Sequence, residues 1–147
     1  MPVGSGAKRG GRAITMATWD DVRRIAMGMP ESVERGVHGQ MAWRVRDKLF
    51  VWERPLRKSD VAALGDDAPE GPILGVRVEH LGAKEALLSD DPAVFFTTPH
   101  FDGYPAVLVR LQEISVDELE EVIVDAWLAR APKRLAQRYL QDRGVDG

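Results

Sequence analysis

The sequence contains no cysteine, which excludes disulfide bonds, thiolate metal sites, iron–sulfur clusters and cysteine nucleophiles. It also has no hydrophobic run near the roughly 18 residues of a membrane-spanning helix, and its first residues include no apolar signal segment. We therefore expect a cytosolic protein that does not enter a membrane.

A strong excess of charge of one sign is missing as well. The chain has 20 basic and 23 acidic residues, a formal net charge of −3 at pH 7. A weakly negative chain is a poor indiscriminate binder of polyanions. Any contact with nucleic acid must therefore depend on a local basic patch.

The motifs of common enzyme classes are also missing. The sequence has no GxSxG nucleophile elbow, no P-loop and no GxGxxG fingerprint after a strand. Its histidines, His38, His80 and His100, lack the HExxH spacing of a zinc site, although Asp102 lies two residues after His100. We expect no catalytic activity, no cofactor and no metal site, and we interpret the histidines as surface or hydrogen-bonded residues.

The composition is that of a globular domain, with 147 residues, of which 44% are hydrophobic and 29% charged. This length suits one domain that folds without a metal or a disulfide. The Gly-rich segment 1–15, which has basic residues and no acid, is predicted to be a disordered basic tail. Residues 16–143 are predicted to form the single domain. Met16 is a second candidate start residue, which favours an inert tail over an arm that seeks DNA.

Apolar residues at helical spacing predict the helices. A first helix follows Thr18, a helical turn lies at 60–64 and a short helix at 82–89. A long helix begins after Ser115, which is followed by Glu118 at the capping-box position, and a final helix follows Pro132.

Alternating apolar residues predict the strands. They indicate a hairpin at 41–54 and single strands at 73–78 and 106–111, whereas 30–40 and 91–105 are predicted loops. The order of elements indicates an α+β fold. We expect a mainly antiparallel sheet of about four strands, packed on one side against the N- and C-terminal helices.

The predicted hairpin sorts its side chains between two faces. A two-residue turn at Asp47-Lys48 makes Trp43 face Trp52. Two sets of side chains result: Trp43, Val45, Phe50 and Trp52 towards the core, and Arg44, Arg46, Leu49 and Val51 on the other face. Because Asp-Lys is a poorer turn than Asp-Gly, a longer loop is an alternative, and a shift of one residue would exchange the faces.

Several blocks of the chain, from about Thr18 to about Tyr139, together resemble the MmcQ/YjbR-like family. They are the entry helix, the Lys48-Leu49-Phe50-Val51 and Gly75-Val76-Arg77-Val78 strands, the block FFTTPHFDGYPAVLVRL at Phe95 to Leu111, and the helix ending in Ala126-Trp127. The resemblance implies a YjbR-like α+β fold with an antiparallel sheet and no assigned enzymatic activity. It also implies binding to double-stranded DNA through two projecting β-wings.

The sequence departs from the family near its last strand. Many members have a histidine followed within a few residues by a basic residue and a tryptophan. Here, His100 is followed by Phe101, Asp102, Gly103 and Tyr104. An acid where a phosphate-facing cation is expected weakens that part of a DNA surface.

A basic patch in the hairpin region is the first candidate site. It consists of six cations against the acids Asp47 and Glu53: Arg44, Arg46, Lys48, Arg54, Arg57 and Lys58. Arginines on a β-ribbon can contact phosphates or enter a groove of the duplex. The alternative interpretation is a solvated edge whose cations discourage aggregation. A second basic group, Lys133, Arg134, Arg138 and Arg143, is interpreted mainly as the solvated face of the last helix.

An aromatic loop is the second candidate site. Residues 95–104 carry Phe96, His100, Phe101 and Tyr104, which would bind a small molecule or a protein partner if they enclose a pocket. The alternative is a loop packed by its own side chains, with His100 bonded to backbone carbonyls. The sequence leaves the oligomeric state open.

Overall fold

The computed structural model describes residues 16–143, and these residues form an antiparallel sheet packed against helices. The six strands are β1 (Ser32–Val37), β2 (Gln40–Val45), β3 (Lys48–Glu53), β4 (Ile73–Arg77), β5 (Phe95–Phe96) and β6 (Ala106–Arg110), and they lie in the order β1-β2-β3-β4-β6-β5. The helices are α1 (Trp19–Met27), α2 (Lys58–Leu64), α3 (Leu81–Asp90), α4 (Val116–Arg130) and α5 (Lys133–Asp142). The predicted tail, residues 1–15, lies outside the described residues.

Three of the five helices begin where the sequence predicts, whereas α2 and α3 begin two residues and one residue earlier. Thr18 caps α1: its hydroxyl accepts a hydrogen bond from the backbone N–H of Asp21, whose carboxylate accepts one in return from the backbone N–H of Thr18. The hydroxyl of Ser115 accepts the backbone N–H of Glu118 at 3.2 Å and so caps α4. These bonds satisfy N–H groups that have no partner within a helix's first turn.

The main core lies between the sheet and the long helix. Helix α4 packs on β3 and β4, and α1 packs against α4 and β1. Trp43, Phe50 and Trp127 are among the largest fully buried side chains. We call this helix-covered side of the sheet the inner face.

A smaller core covers part of the opposite side, which we call the outer face. Ile73, Phe96, Phe101, Ala106 and Leu108 form it. Leu64 of α2 and the half-buried Trp52 of β3 pack against this cluster. The expectation of cover on one side is therefore incomplete, because the β4-β6-β5 end of the sheet is covered on both sides and the β1-β2-β3 end mainly on the inner face.

The sheet has two more strands than the sequence predicts. Strand β1 lies within the predicted loop 30–40, and β5 within the predicted loop 91–105. Strand β1 escapes prediction because it is an edge strand, half-buried or exposed along its length, so it lacks a buried apolar alternation. Strand β5 has two residues, too few to show a period.

The predicted register of the central hairpin is wrong by one residue. The turn is Arg46-Asp47, both with positive φ of 50° and 68°, and Val45 pairs with Lys48. An irregularity in the register then pairs Trp43 with Val51 and Ala42 with Trp52. Phe50 and Val51 consequently both enter the main core, while Trp52 moves to the outer face.

Candidate nucleic-acid interface

The tip of the hairpin is tied to the protein's own acid. Arg46 donates from Nε and Nη2 to the two carboxylate oxygens of Glu31, with 3.0 Å between Nη2 and Oε2. The hydrogen bond from Arg46 holds the pKa of Glu31 below its usual value. Much of the charge of Arg46 is therefore compensated at the tip.

Arg54 is the cation of the predicted patch that the structure buries, with only 5% of its surface exposed. Its Nη2 lies 3.0 Å from the carboxylate of the buried Asp60, and its guanidinium stands 5.3 Å from the centre of the Phe101 ring. Burial alone would raise the pKa of Asp60, but the backbone N–H of Arg57 and the charge of Arg54 outweigh burial and lower it. Arg54 thus fastens α2 to the sheet and does not face solvent.

Besides the paired Arg46, three of the six predicted cations are exposed. Lys48 begins β3 beside the turn, and Arg57 and Lys58 stand at the start of α2. Because α2 packs on the outer face, Arg57 and Lys58 lie on that side of the sheet.

Arg44 is the remaining cation, and its position is unusual. It lies between Trp43 and Val45 on β2, both of which enter the main core, so its side chain belongs to the outer face. It is half-buried, and its Nη1 is buried with no hydrogen-bond partner among residues 16–143. A buried N–H of a charged group without a partner costs free energy, so Arg44 is suited to a partner that the chain does not itself supply.

Two further arginines share the outer face with Arg44. Arg35 pairs with Ala42 across β1 and β2, and Arg77 alternates with the buried Val76 on β4. We call Arg35, Arg44 and Arg77 the outer arginine face. The strand positions around them on this side, residues 33, 37, 40, 42, 49, 52 and 75, carry no acidic residue. Prediction from sequence missed Arg35 and Arg77, although the alternation of β4 already placed Arg77 opposite Val76.

Arg77 is held in place at the end of β4. Its Nε donates to the carbonyl of Pro105 at 3.1 Å and its Nη1 to the hydroxyl of Tyr104 at 3.0 Å, with the guanidinium over the Tyr104 ring. Arg130, which donates from Nε to the carbonyl of Leu49, has its pKa lowered by burial and by the positive charge of Arg77. Two cations therefore repel each other at this end of the sheet.

Trp52 lies flat on the outer face. A Cβ placed on Gly75 would come within 3.0 Å of Cε2, Cζ2 and Nε1 of the indole, with Cε2 nearest and its two neighbours slightly farther. With these distances to the three ring atoms, the Cβ position lies above the plane of the indole and not at its edge. The glycine thus lets the indole rest on the backbone of β4.

The aromatic loop is packed by its own side chains. Phe96 and Phe101 are buried, and Phe101 contacts the rings of Trp52, His100 and Tyr104. The buried Lys84 of α3 donates from Nζ to the carbonyls of Phe101 and Tyr104 at 2.6 and 2.9 Å. Of the four residues predicted to bind a ligand, only His100 and Tyr104 are exposed.

The other two histidines have structural positions. His80 caps α3, since its Nδ1 accepts the backbone N–H of Ala83 at 3.0 Å. His38 lies in the turn between β1 and β2. Within residues 16–143, no group of three histidine, aspartate or glutamate side chains converges as metal ligands.

The second basic group lies away from the outer arginine face. Its four residues are exposed on or next to α5, which packs on the helix side through Leu135 and Tyr139. Arg143 stands over the Tyr139 ring at 5.5 Å. These cations and the outer arginine face therefore do not form one continuous stripe. In the described part of the chain, each helix is too short or too polar to traverse a lipid bilayer.

Comparisons with known proteins agree with this fold. The YjbR family model matches residues 27–129. Uncharacterized proteins of Mycobacterium bovis and Mycobacterium tuberculosis are 58% identical over 132 residues, covering 88% of this chain and 100% of each relative. The crystal structure of Deinococcus radiodurans protein DR2400, described as a DUF419 domain, matches with a TM-score of 0.61 at 18% identity, over 90% of this chain and 92% of that chain. This chain belongs to the YjbR family.

Proposed function

We propose that this protein is a non-catalytic nucleic-acid-binding protein that contacts phosphates through the outer arginine face. The observation that carries the proposal is the buried Nη1 of Arg44, which has no partner among residues 16–143, on a strand surface without acids. Arg57 and Lys58 at the start of α2 extend this basic side, whereas Lys48 pairs with the core-facing Val45 and belongs to the opposite face.

The proposal moves the contact from the tip of the hairpin to the face of its strands. At the tip, Arg46 is paired with Glu31, and Arg54 is buried against Asp60. A phosphate there would have to compete with a carboxylate. On the face of the strands, Arg44 and Arg77 stand two strand spacings apart, about 10 Å, and no carboxylate competes at the neighbouring strand positions.

Phosphate binding would remove two unfavourable features. A phosphate beside the half-buried guanidinium of Arg44 would supply a counter-charge, and negative charge near Arg77 would reduce its repulsion of Arg130. Each phosphate that is neutralised also releases counterions, which makes the affinity fall with salt. The proposed contacts recognise the phosphate backbone and carry no sequence preference of their own.

Fluorescence anisotropy with a labelled DNA duplex, and with one of its strands alone, tests the proposal. We expect binding at low salt that weakens steeply as salt rises. Arg44→Ala should lower the affinity about tenfold and reduce the slope of log K against log salt by about 1, because one phosphate contact is lost. Arg35→Ala should act in the same direction.

Arg24→Ala is the matched control, since Arg24 is an exposed arginine on α1, on the helix side, paired with Asp21. We expect it to bind as the wild type does, and circular dichroism should confirm that each variant is folded. Absence of binding to either probe at low salt, or equal losses for Arg24→Ala and Arg44→Ala, would refute the proposal.

A further inference from the structure

A cleft opens on the inner side of the sheet, between α3, α4 and α5. It has a volume of about 630 Å³, and Val76 of β4 and Val78, just after that strand, form its floor. Its walls are mostly apolar and include four alanines, Ala83, Ala86, Ala129 and Ala136. Because these side chains are small, the three helices leave space between them, and the volume is that of typical small-molecule sites.

Two of the three charged residues that line this cleft are acidic. Glu79 and Asp125 lie in its lining, and Glu121 is close enough to Asp125 to act on its charge. Arg77 also contributes to the lining, but its guanidinium is engaged with Tyr104 and Pro105 on the outer face. Two of its three guanidinium nitrogens are therefore occupied by those contacts.

The state of Asp125 agrees with this arrangement. Burial raises the pKa of Asp125, and the negative charges of Glu121 and Glu79 raise it further. Among residues 16–143, no cation contributes to that shift. Arg143, which follows α5, lies over the Tyr139 ring and lines a neighbouring depression together with Asp125 and Glu121. A positive charge beside Asp125 would therefore be favourable.

We propose that this cleft binds a small amphipathic cation, an ammonium group attached to a short hydrocarbon body. The ammonium group lies between the carboxylates of Asp125 and Glu79. The hydrocarbon lies against Val78, Leu87 and Leu128. Apolar walls supply the burial and the carboxylates fix the orientation of the ligand. The site lies on the opposite side of the sheet from Arg35 and Arg44, and Arg77 is the one residue of the outer arginine face that also lines it.

An NMR titration with three probes of equal chain length tests the inference. We expect hexylammonium to shift the backbone amides of Val78, Ala83 and Ala129 in a saturable way, with a Kd of about 1 mM. Hexanol should bind at least about fivefold more weakly, because it lacks the charge. Hexanoate should not bind, because the carboxylates repel it.

Two kinds of substitution test separately the charge of the carboxylate and the shape of the cleft. Asp125→Asn should weaken hexylammonium at least about fivefold and leave hexanol unchanged. Ala129→Leu, which fills the cleft, should remove the binding of both probes, and Ala86→Leu serves the same purpose if the first variant fails to fold. The inference is overturned if hexanoate binds as well as hexylammonium, if Asp125→Asn keeps the wild-type affinity, or if no probe gives saturable shifts.

Discussion

Tryptophan side chains lie on both faces of the sheet, but their surroundings differ. On the inner face, Trp43 and Trp127 are buried among apolar neighbours, and their indole N–H groups donate to Glu34 and to the carbonyl of Pro30. On the outer face, Trp52 is half-buried and lies on Gly75 next to arginines. The inner face holds the fold together, whereas the outer face is left partly open.

The arginines of the outer side show the same contrast over a short distance. Arg54 lies at the covered end and is paired with the buried Asp60, while Arg44 lies at the open end with an N–H that has no partner among residues 16–143. The two residues are equivalent members of the predicted basic patch. What separates them is the cover that α2 and the aromatic loop provide.

The largest effect is expected from removing a tryptophan from each face in turn. Trp127 is fully buried and contacts Tyr139, so Trp127→Ala should lower the free energy of unfolding by about 4 kcal/mol. Replacing the half-buried Trp52 by alanine should lower the free energy of unfolding by about 2 kcal/mol. Urea denaturation measures both values. Equal losses would show that the outer face contributes as much to the core as the inner face.

An intermediate effect is expected at the ion pair that fastens α2. Asp60→Asn leaves the buried guanidinium of Arg54 without its counter-charge and should cost about 3 kcal/mol in urea denaturation. The folded pKa of Asp60 lies below 3.8, so the carboxylate stabilises the fold above that value, and its contribution is lost as the pH falls through the folded pKa. The difference between the two proteins should therefore shrink at acid pH.

Glu31→Gln is the matched control for that ion pair, because it removes the carboxylate from an exposed arginine pair at the hairpin tip. We expect no measurable change in the urea midpoint, since exposed pairs contribute little. A loss of unfolding free energy as large as that of Asp60→Asn would show that the exposed ion pair at the hairpin tip stabilises the fold as much as the buried pair at the covered end.

The smallest effect, of opposite sign, is expected on the helix side. The pKa of Asp125 is raised by burial and by Glu121 and Glu79, so its charged form weakens the fold at neutral pH. This penalty shrinks as the pH falls below the folded pKa and is gone below the lower pKa of the unfolded chain. Asp125→Asn should raise the thermal midpoint slightly at neutral pH and leave it unchanged at acid pH. A lower midpoint at neutral pH would reveal a stabilising partner for Asp125.

The sequence was sufficient to predict the helices and the strands between the two edge strands, because the signals for these elements are local. Thr18 and Ser115 are caps, and the strands at 73–78 and 106–111 have the buried residues that their alternation indicates. The hairpin register depended instead on which two residues form the turn. Positive φ at Arg46 and Asp47 is uncommon for such residues, and no local pattern announced the irregularity near Phe50.

The candidate site was harder to predict because exposure is a property of the whole fold. The sequence grouped six cations by proximity along the chain, and tertiary contacts then divided them. Glu31 and Asp60, which take Arg46 and Arg54, lie 15 and 6 residues away from them in the sequence. Arg35 escaped notice because its strand was predicted to be a loop, and DNA binding itself stays a prediction.

Lys84 donates hydrogen bonds to the carbonyls of Phe101 and Tyr104. Its chemical reactivity therefore reports on the covered end of the outer face. Burial lowers the pKa of this amine, against the opposing charges of Asp102 and Glu85, and the folded chain shields it from reagents that acylate the exposed Lys48, Lys58 and Lys133. Acylation of Lys84 would require residues 101–104 to detach from α3. The rate at which this one lysine is labelled would therefore measure how often that loop opens.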